Sequence, residues 1–278
     1  MWGGRLVRPR CREATRASPL SIVIPNAVKN LLFAGDHSAP GVPHVCAFCK
    51  RGIPECLHLG LSSTILPMDQ ARIQKLLTPF LHEPLTADQL NNISTYVDLL
   101  LRWNARMNLT AVRDEEHIVT RHFGESLFAA HHLLSGDPRA ATVADVGSGA
   151  GFPGLPIKIF APELKLALIE SNQKKATFLR EVIRALQLSD AEVFNGRAAD
   201  FPAASADLVT LRAVENFEDA LPEAARLVAP NGRLALLVGA AQERSARNLL
   251  PVVGWHSIKL PQAQSRILLI GTNKSEPK

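Results

Sequence analysis

The run Asp145-Val-Gly-Ser-Gly-Ala-Gly-Phe-Pro-Gly154 sets four glycines directly behind an acid. Glycine adopts backbone angles that other residues avoid and admits a ligand where a Cβ would clash. A second acid, Glu170, follows 21 residues after Gly149. A carboxylate at that distance, ending the next strand, accepts hydrogen bonds from ribose hydroxyls. Loop and acid together point to a nucleoside-containing cofactor. Gly149-x-Gly151-x-x-Gly154 formally fits a dinucleotide, so hydride transfer is one candidate chemistry.

The loop needs a strand before it and a helix after it. The apolar run Ala141 to Val146 and the helical pattern Leu155 to Phe160 supply them. Further strands are expected at 165–170, 191–194, 207–211, 232–238 and 266–271, with a weaker one near 256–260. Helices are expected at 153–160, 174–187, 216–228 and 242–250. Strands alternating with helices make βαβ units and a parallel sheet. No helix separates the last two strands, and Pro261-Gln262-Ala263-Gln264 is hairpin-sized, so an antiparallel pair closes the sheet. Residues 69–135 read as helices: Ile73, Leu76, Leu77, Phe80 and Leu81 recur at helical spacing. Thr86 and Gln89 form a capping box for a helix with Leu90, Ile93, Val97, Leu100 and Leu101 on one face. Gly136-Asp137-Pro138 breaks the chain. The expected division is 1–67, a helical segment 68–137, and the sheet-bearing domain 138–278.

Residues 1–67 differ from the rest. They hold 8 Lys and Arg against 3 Asp and Glu, whereas residues 68–278 hold 23 of each. The basic pI near 9.2 therefore describes the first segment, and a nucleic-acid site in the body must be a local patch. All four cysteines also lie there, which excludes thiol chemistry in the body. Cys46-x2-Cys49-x6-Cys56-x-His58 lacks the second ligand pair of a zinc site, and no metal is expected. The segment has a disorder-like composition, and Met68, where helical patterning begins, is the expected true start. No apolar run approaches the ~18 residues of a membrane span, and no membrane partner is expected.

Two features weigh against a dinucleotide. A pyrophosphate disfavours an acid such as Asp145 beside a helix N-terminus, whereas a cationic sulfonium does not. The terminal hairpin is a feature of S-adenosylmethionine-dependent methyltransferases. More specific are ordered motifs: Leu101-Arg-Trp-Asn104, Met107-Asn-Leu-Thr110, His122-Phe-Gly-Glu-Ser-Leu127, Asp145 to Pro156, Leu168-Ile-Glu-Ser171, Lys174-Lys175, Asn195-Gly-Arg197 and Leu211-Arg-Ala213. Carrying these, the chain from about Met68 to Asn273 resembles the family of bacterial 16S ribosomal RNA guanine-N7 methyltransferases, RsmG or glucose-inhibited division protein B. Glu125 stands where that family more often has Asp.

The resemblance implies a Rossmann-like class I S-adenosylmethionine-dependent methyltransferase fold. Its α/β sheet would have seven mostly parallel strands and a terminal antiparallel hairpin, preceded by a small helical N-terminal domain. It implies S-adenosyl-L-methionine as cofactor, 16S rRNA or the small ribosomal subunit as partner, no obligate protein partner, and a cytoplasmic location. Carried over by residue, Gly147 and Phe152 line the cofactor loop, Glu170 holds the ribose, and Ala198 and Ala199 frame the adenine through their backbone. Arg212, ending the fourth strand, contacts cofactor or RNA; the competing reading is an ion pair with Asp207 or Glu215. Lys174, Lys175 and Arg106 are candidate RNA contacts, against a solvated surface as the alternative. His122 is a site residue or a hydrogen-bonded structural one. Trp103 reads as core.

Overall fold

The computed structural model describes residues 68–134, 141–214 and 216–273. The cysteines, all residues before Met68, Gly136-Asp137-Pro138 and Glu215 thus lie outside the described residues. Seven strands form one sheet: β1 (Thr142–Val146), β2 (Lys165–Ile169), β3 (Ala191–Phe194), β4 (Ala206–Arg212), β5 (Val228–Gly239), β6 (Val253–Lys259) and β7 (Arg266–Asn273). Their order is β3-β2-β1-β4-β5-β7-β6. The first five pair in parallel, and β7 runs antiparallel to both β5 and β6. The hairpin and the parallel sheet are those expected from the sequence. Strand order reverses between β1 and β4, and a crevice opens beyond the strand ends at such a point.

Helices cover both faces, which is why β1 and β2 are apolar almost throughout. On one face lie α1 (Gln70–Leu77), α2 (Ala87–Asn104), α4 (Glu125–Leu133), α5 (Gly154–Phe160) and α6 (Gln173–Ala185), sharing a core with Val143, Leu168 and Leu268. On the other, α7 (Phe217–Leu227) and α8 (Ala240–Leu249) pack on Ala144, Val209 and Leu236. The helices before β1 thus contribute to the same apolar core as the sheet.

Local chemistry sets how α2 meets the sheet. Thr86 and Gln89 cap its N-terminus reciprocally, at 3.2 and 2.9 Å. The Gln89 amide also donates to the carbonyl of Phe160, at 3.1 Å, where α5 ends. One side chain therefore closes two helix ends. Ile93, Tyr96, Val97 and Leu100 form the buried face. Each such side chain contributes roughly 1.5–3 kcal/mol by leaving water.

Two details were not read from the sequence. The helical run before β1 contains α3 (Glu115–His117), a π-helical turn (Ile118–Gly124) and α4, and the π-helical turn was not expected. Gly124 permits it, because a Cβ there would come within 2.7 Å of the Phe80 ring. π-Turns of this kind concentrate at functional sites. β5 begins at Val228 rather than 232, through an irregularity that holds Asn231 at φ 67°. Turn-forming residues within Pro230-Asn231-Gly232 hid that start.

Candidate active site

The glycine loop leaves β1 on a set of backbone contacts. The amides of Gly147 and Ser148 donate to the carbonyl of Ile169, at 2.9 and 3.1 Å. Gly147, Gly149 and Gly151 all have positive φ, at 65°, 57° and 89°. A Cβ on Gly147 would meet Val214 at 2.9 Å. Glu170, 6% exposed, accepts from the amides of Gly149, at 2.9 Å, and Asn172, at 2.7 Å. A carboxylate has about four lone-pair sites, so both oxygens keep capacity for hydroxyl donors.

Gly147, Ala198 and Ala199 line one cavity of ≈ 730 Å³. That lies within the roughly 300–1,000 Å³ of small-molecule sites. Small side chains and bare backbone leave its walls open to a flat ring. Arg226, reaching from α7, donates to the carbonyls of Ala198, Ala199 and Phe201 at 2.6, 3.0 and 2.9 Å. It fixes the short 3-10 turn (Ala198–Asp200) and takes up those carbonyls. Glu218, Asp219 and Glu223 also line the cavity, which favours a cationic guest over a pyrophosphate.

Phe152 lies outside this cavity. It is 7% exposed and stacks on Tyr96, with ring centroids 5.3 Å apart, and on His122, at 4.8 Å. The Tyr96 hydroxyl donates to the carbonyl of Ala150. Burial, then the nearby Asp145, push its phenol well above the ordinary range, so it remains a donor. The α2 helix thereby grips the glycine loop from below.

Asp145 does not face the cavity either. Its side chain is fully buried, accepts from Thr210 at 2.6 Å, and leaves Oδ2 without a partner. Burial raises it to about 6, against hydrogen bonds that lower it. A Cβ on Gly154 would fall 2.9 Å from this carboxylate, so glycine there makes room for it. The acid is therefore a strut between β1 and β4 beneath the loop.

Arg212 ends β4, and its side chain is 9% exposed. It donates to Glu125 Oε2 at 3.0 Å and to the carbonyl of Arg121 at 2.8 Å. Glu125 also accepts from Arg266 Nε at 2.6 Å. The ion-pair partner is thus Glu125. Asp207 instead accepts from the amide of Thr142 at 2.8 Å. Burial lowers Arg212 to about 10, with Glu125 opposing and Arg121 and Arg266 reinforcing the shift. His122 bonds Thr110 Oγ1 through Nε2 at 2.8 Å, and its Nδ1 is buried without a partner. Burial, then Arg212, Arg121 and Arg266, push it down to about 2, so it is neutral at physiological pH.

Of the candidate RNA contacts, Lys174 is exposed and Lys175 half-buried at the start of α6, where Asn172 caps their amides at 2.9 and 3.2 Å. Arg106 is exposed just after α2. Trp103 is half-buried against Phe178 of α6, with ring centroids 5.6 Å apart, in keeping with a core role. Glu125 and Arg266 escaped the sequence reading as a pair. Glu125 stood inside a motif, but an arginine opening a hydrophobic strand carries no signal of its own. No group of three or more His, Cys, Asp or Glu among the described residues is arranged to hold a metal ion.

A seven-stranded sheet with a reversed terminal hairpin, a glycine loop and a ribose-spaced acid define an S-adenosylmethionine-dependent methyltransferase. The family described as rRNA small subunit methyltransferase G matches residues 89–263. Proteins named ribosomal RNA small subunit methyltransferase G are similar to the chain. That of Xanthomonas campestris pv. campestris (strain B100) is 38% identical over 199 residues, covering 69% of this chain and 90% of that protein. That of Roseiflexus sp. (strain RS-1) is 40% identical over 195 residues, covering 66% and 82%. That of Streptococcus agalactiae serotype Ia is 35% identical over 207 residues, covering 69% and 86%. Among solved structures, ribosomal protein L11 methylase from Lactobacillus delbrueckii subsp. bulgaricus is similar at 18% identity and TM-score 0.47, covering 56% of this chain and 80% of that one. The chain belongs to the rRNA small subunit methyltransferase G family.

Proposed function

We propose that this protein methylates N7 of a guanine in 16S ribosomal RNA, near the decoding centre of the small subunit, in the cytoplasm and without a general base. When bound, S-adenosylmethionine supplies an electrophilic methyl group on a cationic sulfur. Gly147, Ala198 and Ala199 line the cavity that would take it, Glu170, held by the amides of Gly149 and Asn172, would accept from the ribose hydroxyls, and Phe152 supports the loop from beneath. Arg212, at the end of β4 and paired with Glu125, would serve as a cofactor or RNA contact.

One observation carries the reading of the acceptor. The groups beside Arg212 are unsuited to removing a proton. Glu125 is held by two guanidiniums, and Asp145 is sealed under the loop. His122, held near 2, is too weak a base to act at neutral pH. Guanine N7 carries an exposed lone pair and has no proton to lose. Alignment of acceptor, methyl carbon and sulfur then supplies the rate, with the protein's dipoles following the moving charge. Incubation with labelled S-adenosylmethionine and small subunits lacking the modification, followed by mapping, tests this. Label at a guanine N7 of 16S RNA is expected; no label on that RNA overturns the reading.

A further inference from the structure

We propose that the pocket between the π-helical turn and the β6–β7 loop binds a backbone phosphate of the RNA substrate, through Arg121 and Arg266. The inference rests on the RNA reading above and adds a site to it. The pocket has a volume of ≈ 440 Å³ and is lined by Thr120, Arg121, Glu125, Gln262 and Arg266 among others. Arg212 ends β4, and Arg266 pairs with Gly239 at the end of β5, so the pocket lies at the sheet edge that carries the glycine loop. It is on the opposite face from the cavity bounded by α7.

Its charges do not balance. Arg212 and Arg266 both bind Glu125, whose side chain is 2% exposed. One carboxylate cannot neutralise two guanidiniums. Arg121 adds a third: its carbonyl is bonded to Arg212, but its side chain has no hydrogen-bond or ion-pair partner among the described residues. The other acid lining the pocket, Glu116, is taken by Arg72. Among the remaining groups, His117 is paired with Asp114 at 2.7 Å. Burial lowers the pKa of Arg212, and repulsion from Arg121 and Arg266 adds to that shift against the pull of Glu125. An anion entering the pocket relieves that repulsion. Guanidiniums offer forked donors that match phosphate oxygens in pairs. Arg266, 34% exposed, and Arg121, exposed, present donors to solvent while Glu125 holds Arg266 in place.

The test uses the full chain and Arg121→Gln, Arg266→Gln and Arg247→Gln, the last removing an exposed arginine paired with Glu243 on α8. Inorganic phosphate, against chloride at equal ionic strength, is expected to raise the wild-type melting midpoint by about 3 °C. That protection is lost in the first two variants and kept in the third. With small subunits as substrate, the apparent KM for RNA rises about tenfold in each of the first two, and the log–log salt slope shrinks by about one. Arg121→Gln removes a side chain without hydrogen-bond or ion-pair partners among the described residues and carries the test if Arg266→Gln fails to fold. Absence of phosphate protection in the wild type, or an RNA KM no different from that of Arg247→Gln, overturns the proposal. So does a rise confined to the KM for S-adenosylmethionine, which assigns the arginines to the cofactor's carboxylate. If the wild type leaves 16S RNA unlabelled, the RNA reading fails, and the phosphate-dependent midpoint still decides whether the pocket binds phosphate.

Discussion

Beyond the ends of β1 and β3, backbone and small residues, Gly147, Ala198 and Ala199, form one wall of a cavity, and Glu218, Asp219 and Glu223 of α7 form another. Beyond β4 and β5 the sheet edge is made of long charged side chains. There Glu125 joins Arg212, 87 residues away, to Arg266, 141 residues away. The first half is assembled from contacts at most 28 residues apart, most of them involving at least one backbone group. The second half depends on three distant segments folding together, and it buries charge. Damage to the two halves should therefore differ in kind: lost ligand affinity at the first, lost stability at the second.

The strongest way to break this contrast is Glu125→Ala. It strands Arg212 and Arg266, and a broken buried pair costs about 3–5 kcal/mol. Chemical denaturation should read that loss; a change below about 1 kcal/mol would mean the arginines find water freely. Gly147→Val should act the other way. A branched residue at φ 65° with Val214 at 2.9 Å costs about 1–2 kcal/mol of stability. Its main effect is on cofactor affinity, by titration calorimetry: roughly a hundredfold weaker, since about 2.7 kcal/mol is two decades. Glu170→Gln should weaken cofactor binding about tenfold, with loss of one charge-assisted acceptor.

A pH series sharpens the comparison further. The folded state lowers His122 from 6.5 to about 2, so the stability it contributes is present above 6.5 and lost as pH falls. The folded state raises Asp145 from 3.8 to about 6, so its contribution grows as pH falls from 6 towards 4. Each slope approaches about 1.4 kcal/mol per pH unit, and between 6 and 4 they oppose. Stability from these two groups should stay nearly flat there and fall below 4. His122→Gln should leave a protein that gains stability from pH 6 to 4, and Asp145→Asn one that loses it. Urea midpoints at pH 7, 5 and 4 that moved together in all three proteins would refute the assignment. The smallest expected effect is Lys174→Gln. This side chain is exposed on α6, and its loss should lower the salt slope of RNA binding by at most about one without shifting the melting midpoint.

The glycine loop, Glu170 and the Thr86–Gln89 cap were legible because their partners lie within one βαβ unit or one helix turn. Periodicity likewise revealed the strands of the sheet and the hairpin. Arg212 was legible only as a position. Its expected partners were near in sequence, Asp207 and Glu215, yet Asp207 is spent on Thr142 and Glu125 answers the guanidinium. Nothing in spacing links residues so far apart. Asp145 was read as an acid that disfavours a pyrophosphate but not a cationic sulfonium, because it ends the strand beside the glycines. In the fold the loop turns over it, and Thr210 of β4 claims it.

By itself the sequence determined the sheet, the hairpin, the glycine loop and the family. The first three rest on backbone preference and on the spacing of apolar residues, and the family rests on short ordered motifs, all of which are local properties. Tertiary structure alone decided which acid holds Arg212, that His122 is neutral, that Phe152 packs inward, and that two guanidiniums share one carboxylate with a third arginine beside the same pocket. Those depend on burial and on charges brought together across the chain, and no local pattern encodes them.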